Sequence, residues 1–155
     1  MELHPASPDD DFLLELRRHR AELRESMSAL ENALAAPAGS DDARWAERVH
    51  VAAVELAGDF RGHVDMTEGA DGLYREILDT SPRLSEAVAA LTREHLLIRR
   101  EVDGLVDRAA ASGDGEDVER ARVLGTALLG RLVRHRQRGS DLVYEAYEYD
   151  IGGED

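Results

Sequence analysis

The chain has 155 residues, of which 43% are hydrophobic, with 33 acidic against 19 basic side chains, a net charge of −14 and no cysteine. That length suits one domain with a sizeable buried core, and the absence of cysteine excludes disulfides, thiolate metal sites and cysteine nucleophiles and suits a reducing cytoplasm. The negative charge repels phosphate backbones and anionic bilayers, which discounts nucleic acid and membrane partners, and no apolar run approaches the roughly 18 residues of a membrane span.

The acidic excess is concentrated. Residues 1–11, 112–119 and 145–155 hold 13 acidic residues and no arginine, leaving 20 acids against 19 arginines elsewhere. The expectation is a single domain over 1–155 with flexible acidic termini. All basic residues are arginine, as in the codon usage of a high-GC bacterial genome. MELHPASPDDD contains neither a basic nor an apolar region, so no secretory signal is expected.

Ser7, Pro8 and three aspartates read as a helix start, with a capping hydroxyl, proline in the first turn and carboxylates at the positive dipole end. The first helix is predicted to run to about Ala35 on a stripe of Phe12, Leu16, Leu23, Met27, Leu30 and Leu34. APAGSDD breaks it, and Ser40 or Asp41 can cap a second helix whose stripe is Trp45, Val49, Ala52, Leu56 and Phe60. Gly69 and Gly72 interrupt that helix, a short helical turn follows around LYREIL, and TSP at 80–82 starts the third long helix. Its stripe is Leu84, Val88, Leu91, Ile98, Val102 and Leu105. ASGDGED at 111–117 separates it from a fourth, carried by Val118, Ala121, Leu124, Leu128, Leu132 and Leu142 and expected to fray near Ile151. No alternating run argues for a strand. The fold expected is all-α, an up-down-up-down antiparallel four-helix bundle.

Histidines interrupt these stripes. His19 falls between Leu16 and Leu23, His95 between Leu91 and Ile98, while His63 follows Phe60 by three and His135 follows Leu132 by three. Each long helix thus carries one histidine on its core face. His50, one residue off its stripe and 13 residues before His63, is expected at the surface. Counting from the connecting loops, the level mismatches between successive helices are five, four and two residues, or about 3 to 8 Å at roughly 1.5 Å per residue. The four imidazoles can therefore converge. Four buried imidazoles without partners would each cost roughly 1–3 kcal/mol. A shared metal removes that cost, and neutral imidazole suits iron, zinc, copper or nickel. Glu68, five residues after His63, is a further candidate ligand because Gly69 can loosen the turn. Asp59 and Glu15 read as acids at the stripe edges.

One histidine per helix with a carboxylate shortly after the second resembles the hemerythrin-like (HHE cation-binding) family over nearly the whole chain. The stretches HVDMTEGADGLYREIL and HRQRGSDLVYEAYEYDIGG resemble that family's two similar halves. The resemblance implies a bundle holding one or two non-haem irons. It also implies reversible binding or sensing of dioxygen, nitric oxide or peroxide, as a binding protein more than a dedicated enzyme. On that basis the metal ligands expected are His19, His63, Glu68, His95 and His135. Two departures stand out: the fourth helix has no carboxylate four or five residues after His135, and Arg99 follows His95 by four. A tyrosinate from Tyr74 or Tyr144 is a further possible ligand.

Other classes fit less well. A ferritin-like di-iron site needs Glu-x-x-His pairs, and the residues three before the four histidines are Leu16, Phe60, Thr92 and Leu132. An HExxH zinc hydrolase pair is absent as well. The alternative is a metal-free helical interaction or regulatory module whose buried histidines act as pH-sensitive hydrogen-bonding groups.

Overall fold

The computed structural model describes residues 8–111 and 115–149. The predicted Ser7 cap and most of the acidic terminal segments lie outside them. Four long helices form: α1 (Pro8–Ala35), α2 (Asp42–Glu68), α4 (Ser85–Ala111) and α5 (Gly115–Tyr144). A short helix α3 (Leu73–Thr80) and a 3₁₀ turn (Pro82–Leu84) link α2 to α4, and a π-helical turn (Glu145–Tyr149) follows α5. The described residues contain no strand. α1 packs on α2, α2 on α4, α4 on α5 and α5 back on α1. The architecture is an all-α four-helix bundle, and no described helix is long and apolar enough to cross a membrane.

Local chemistry sets the helix ends. Gly39 adopts φ 62°, a left-handed conformation that favours glycine. Asp41 then caps α2 by accepting from the Arg44 backbone N–H at 3.0 Å. The last carbonyls of α1 are satisfied from outside that helix: Arg122 of α5 donates to Leu34 O at 3.1 Å and to Ala36 O at 3.0 Å. Trp45 Nε1 adds a bond to Ala36 O at 2.9 Å, so the α1–α2 turn is tied to α5. At Gly72 a Cβ would lie 2.7 Å from the Thr67 carbonyl oxygen. Only glycine lets the chain double back there and start α3.

The apolar stripes meet in two clusters rather than one. The larger contains Leu23, Leu30, Val49, Leu56, Phe60, Ile98, Val102, Leu128 and Leu132. The smaller, under α3, contains Leu16, Leu73, Tyr74, Ile77, Leu84, Leu91 and Leu142. Each fully buried leucine or isoleucine contributes about 1.5–3 kcal/mol, so these clusters supply most of the cohesion. Leu124, expected on the core face of α5, is 44% exposed. The stripe steps from Ala121 to Leu128 through Gly125, whose backbone lies against Leu34; a Cβ there would come 2.4 Å from Leu34 Cδ1.

Candidate metal centre

The gap between the two clusters is filled by histidines, because on each long helix the interrupting histidine falls between residues of the two clusters. Phe60, at the end of the larger cluster, stacks on His63 with centroids 5.8 Å apart and meets His95 edge-on at 5.7 Å. The ring centroids of His63, His95 and His135 are 5.1, 5.4 and 4.8 Å apart. One ligand nitrogen from each lies within 4.8 Å of the others. His63 Nε2 is 3.3 Å from His135 Nε2. His95 and His135 are only 2% and 1% exposed.

Two carboxylates orient this trio. His95 Nδ1 lies 2.9 Å from Glu68 Oε2, and His135 Nδ1 lies 3.2 Å from Glu94 Oε2. An ionised carboxylate only accepts, so each Nδ1 carries the proton and each Nε2 turns a lone pair toward the trio. Glu94 is held in turn by the Arg138 guanidinium. Tyr74 stacks on His95 at 5.8 Å, and its hydroxyl lies 3.5 Å from His95 Nε2.

Electrostatics keep the trio neutral. Burial, with His95 and His135 nearby, lowers the His63 pKa to about 3. Burial and His135 lower His95 to about 3, and burial lowers His135 to about 4. Near pH 7 the contacts to Glu68 and Glu94 are therefore hydrogen bonds from neutral imidazoles, not ion pairs; the lone pair on His135 Nε2 faces His63 Nε2 at 3.3 Å, and that of His95 turns toward the same space. Burial also raises the Glu68 pKa, opposed by Arg99, and raises that of Tyr74. Neutral imidazole nitrogens backed by carboxylates are the donor arrangement of metal-ligating histidine.

The remaining expected residues are placed differently. His19 stands beside the trio: its ring lies over the Gly62 backbone, with Nε2 3.4 Å from Glu15 and Nδ1 4.0 Å from Glu22. It therefore lies level with His63, whose neighbour is Gly62, but is turned toward the acids of its own helix. Glu68 reaches the outer nitrogen of His95 rather than the trio's centre. Asp59 accepts from Ser26 Oγ, His50 donates to Val106 O at 3.1 Å, and Tyr144 is 57% exposed.

The profile of the hemerythrin HHE cation-binding domain matches residues 11–147. The chain belongs to the hemerythrin HHE cation-binding family. No curated protein and no solved structure matches it. Within this hemerythrin-like bundle His135 has a carboxylate neighbour that sequence spacing along its own helix cannot reveal. Glu94 belongs to α4, immediately before His95, and reaches across to His135. Its signal was the EH pair in TREHLL: 100° away from His95 on the helix, Glu94 faces a neighbouring helix.

A cavity of about 150 Å³ opens onto His63 and His135 from the α1–α5 side. Arg20, Arg24 and Arg136 line it together with Tyr74 and Thr67. Burial lowers the Arg20 pKa, and burial with the like charges of Arg24 and Arg20 lowers that of Arg136.

Proposed function

We propose that this hemerythrin-like protein holds one non-haem iron on His63, His95 and His135 and binds or senses a small ligand there: dioxygen, nitric oxide or peroxide. The reading rests chiefly on one ring nitrogen from each of three buried or half-buried imidazoles gathered within 4.8 Å, with His95 and His135 oriented by carboxylates on the opposite ring nitrogen. Glu68 and Glu94 would raise ligand basicity and fix ring orientation rather than coordinate. With those carboxylates on the outer nitrogens, a single ion suits the donor set better than a bridged pair. Iron supplies an open coordination position for the small ligand. The chain's own part is to exclude bulk water with Phe60 and the flanking clusters, and to hold Tyr74 as a hydrogen-bonding group beside the pocket.

The test is metal analysis of protein purified without chelator or nickel affinity resin, with electronic spectra before and after exposure to dioxygen, nitric oxide or peroxide. About one iron per chain, a spectrum that responds to one of the three, and a lower Tm after chelation are expected. A folded, fully helical protein that carries no metal and takes up none from added Fe²⁺ would refute it.

A further inference from the structure

The cavity leading to the histidines is lined by cations that nothing in the described residues balances. Arg20, Arg24 and Arg136 form no ion pair or hydrogen bond with any described residue, although the chain carries 33 acidic residues. Other buried or half-buried arginines are partnered: Arg131 bonds Glu101 at 2.9 Å and Arg122 caps α1. Arg20 and Arg136 are half-buried and Arg24 is exposed at the cavity's edge, and the like charges of Arg20 and Arg24 act against that of Arg136. Among the described residues no acid lines this cavity, and three guanidinium groups around one hollow are the donor set that an oxyanion takes.

We propose that Arg20, Arg24 and Arg136 bind a small oxyanion in the cavity beside His63 and His135. Guanidinium groups match planar or tetrahedral oxyanions by paired N–H donors. The volume of about 150 Å³ suits an anion of a few heavy atoms. A wider groove of about 610 Å³ between α1 and α5 shares Arg24 and Arg136 and is also lined by Glu31. This receptor is built by the arginines alone and does not depend on a metal at the histidines.

The experiment is calorimetric titration of the full-length protein with sodium phosphate, sodium nitrite and sodium formate at an ionic strength fixed with sodium chloride, before and after chelation. At least one oxyanion should bind saturably in both states. Arg20→Gln and Arg136→Gln should each weaken that binding about tenfold or more, which corresponds to about 1.4 kcal/mol. Arg44→Gln, on the exposed start of α2, should leave it unchanged. In oxyanion-free buffer both cavity variants should melt at or above the wild-type temperature, because a repelling cation has been removed. Absence of saturable binding would overturn the proposal. So would binding that vanishes on chelation and ignores the arginine replacements, since the anion would then sit on the metal. A lower melting temperature for both variants in oxyanion-free buffer would count the arginines as structural and also overturn it.

Discussion

Glu94 and His135 face each other across α4 and α5 at 3.2 Å, carboxylate oxygen to imidazole Nδ1, while Arg138 grips the other oxygen of the same carboxylate. A carboxylate from one helix thereby fixes the tautomer of a histidine on the next, and a guanidinium fixes the carboxylate. Outer partners of this kind govern ligand basicity, and their loss typically costs 10–100-fold in metal affinity. Glu94→Gln is expected to weaken Fe²⁺ binding about tenfold or more in chelator competition, with the helical circular dichroism unchanged. Equal affinity in the variant would remove Glu94 from the site.

The histidines should separate by role. His63→Ala is expected to abolish iron retention, because His63 contributes an inward nitrogen 3.3 Å from that of His135. His19→Ala should cost much less, since its ring is held over Gly62 between Glu15 and Glu22. His50→Ala should leave iron content at the wild-type level, its Nδ1 being spent on the Val106 carbonyl. Metal content per chain after desalting decides all three, and full occupancy in His63→Ala would place the site elsewhere.

Much of this was legible before any coordinates. The four-helix order, the breaks near Ala35 and Gly69, and one histidine per apolar stripe all follow from period 3.6 and from turn residues. What spacing cannot provide is the rotation and height of one helix against another. The placement of His19 over Gly62 and of Glu68 on the outer nitrogen of His95 depends on both. Glu94 is hidden for a related reason: it serves a histidine 41 positions away, on a different helix, where the periodicity of its own helix carries no information. Leu124 fits the apolar stripe by spacing yet is 44% exposed. The bundle instead uses the absence of a side chain at Gly125 to seat Leu34.

Acid should unfold the metal-free protein through the histidine layer. In the folded state His63 and His95 hold pKa values of about 3 and His135 about 4, whereas the unfolded chain titrates near 6.5. Between those limits the unfolded state binds more protons, so stability falls as pH drops. The contribution is fully present above about pH 6.5 and is lost progressively toward pH 4. Each group adds a slope of up to about 1.4 kcal/mol per pH unit within that window. Urea midpoints measured from pH 7.5 to 4.5 should therefore decline. The decline should be visibly shallower in a His95→Gln variant, and a flat profile in the wild-type protein would contradict neutral buried imidazoles.

Two glycines of α5 should respond oppositely to a side chain. At Gly125 a Cβ would meet Leu34 Cδ1 at 2.4 Å and Cδ2 at 3.0 Å, and Leu34 is buried in the larger cluster. Gly125→Val then overfills a packed contact and should destabilise by about 1–3 kcal/mol. At Gly130 the nearest atom to a Cβ is Arg134 Nη1 at 3.5 Å, an ordinary contact with a movable side chain. Gly130→Ala should stabilise by about 0.5–1 kcal/mol, since alanine loses less backbone entropy in a helix. Denaturant midpoints would show the two shifts with opposite sign, and iron content per folded chain should match wild type in Gly130→Ala. A stabilised Gly125→Val would mean that α1 and α5 do not approach as closely as the Leu34 contact requires.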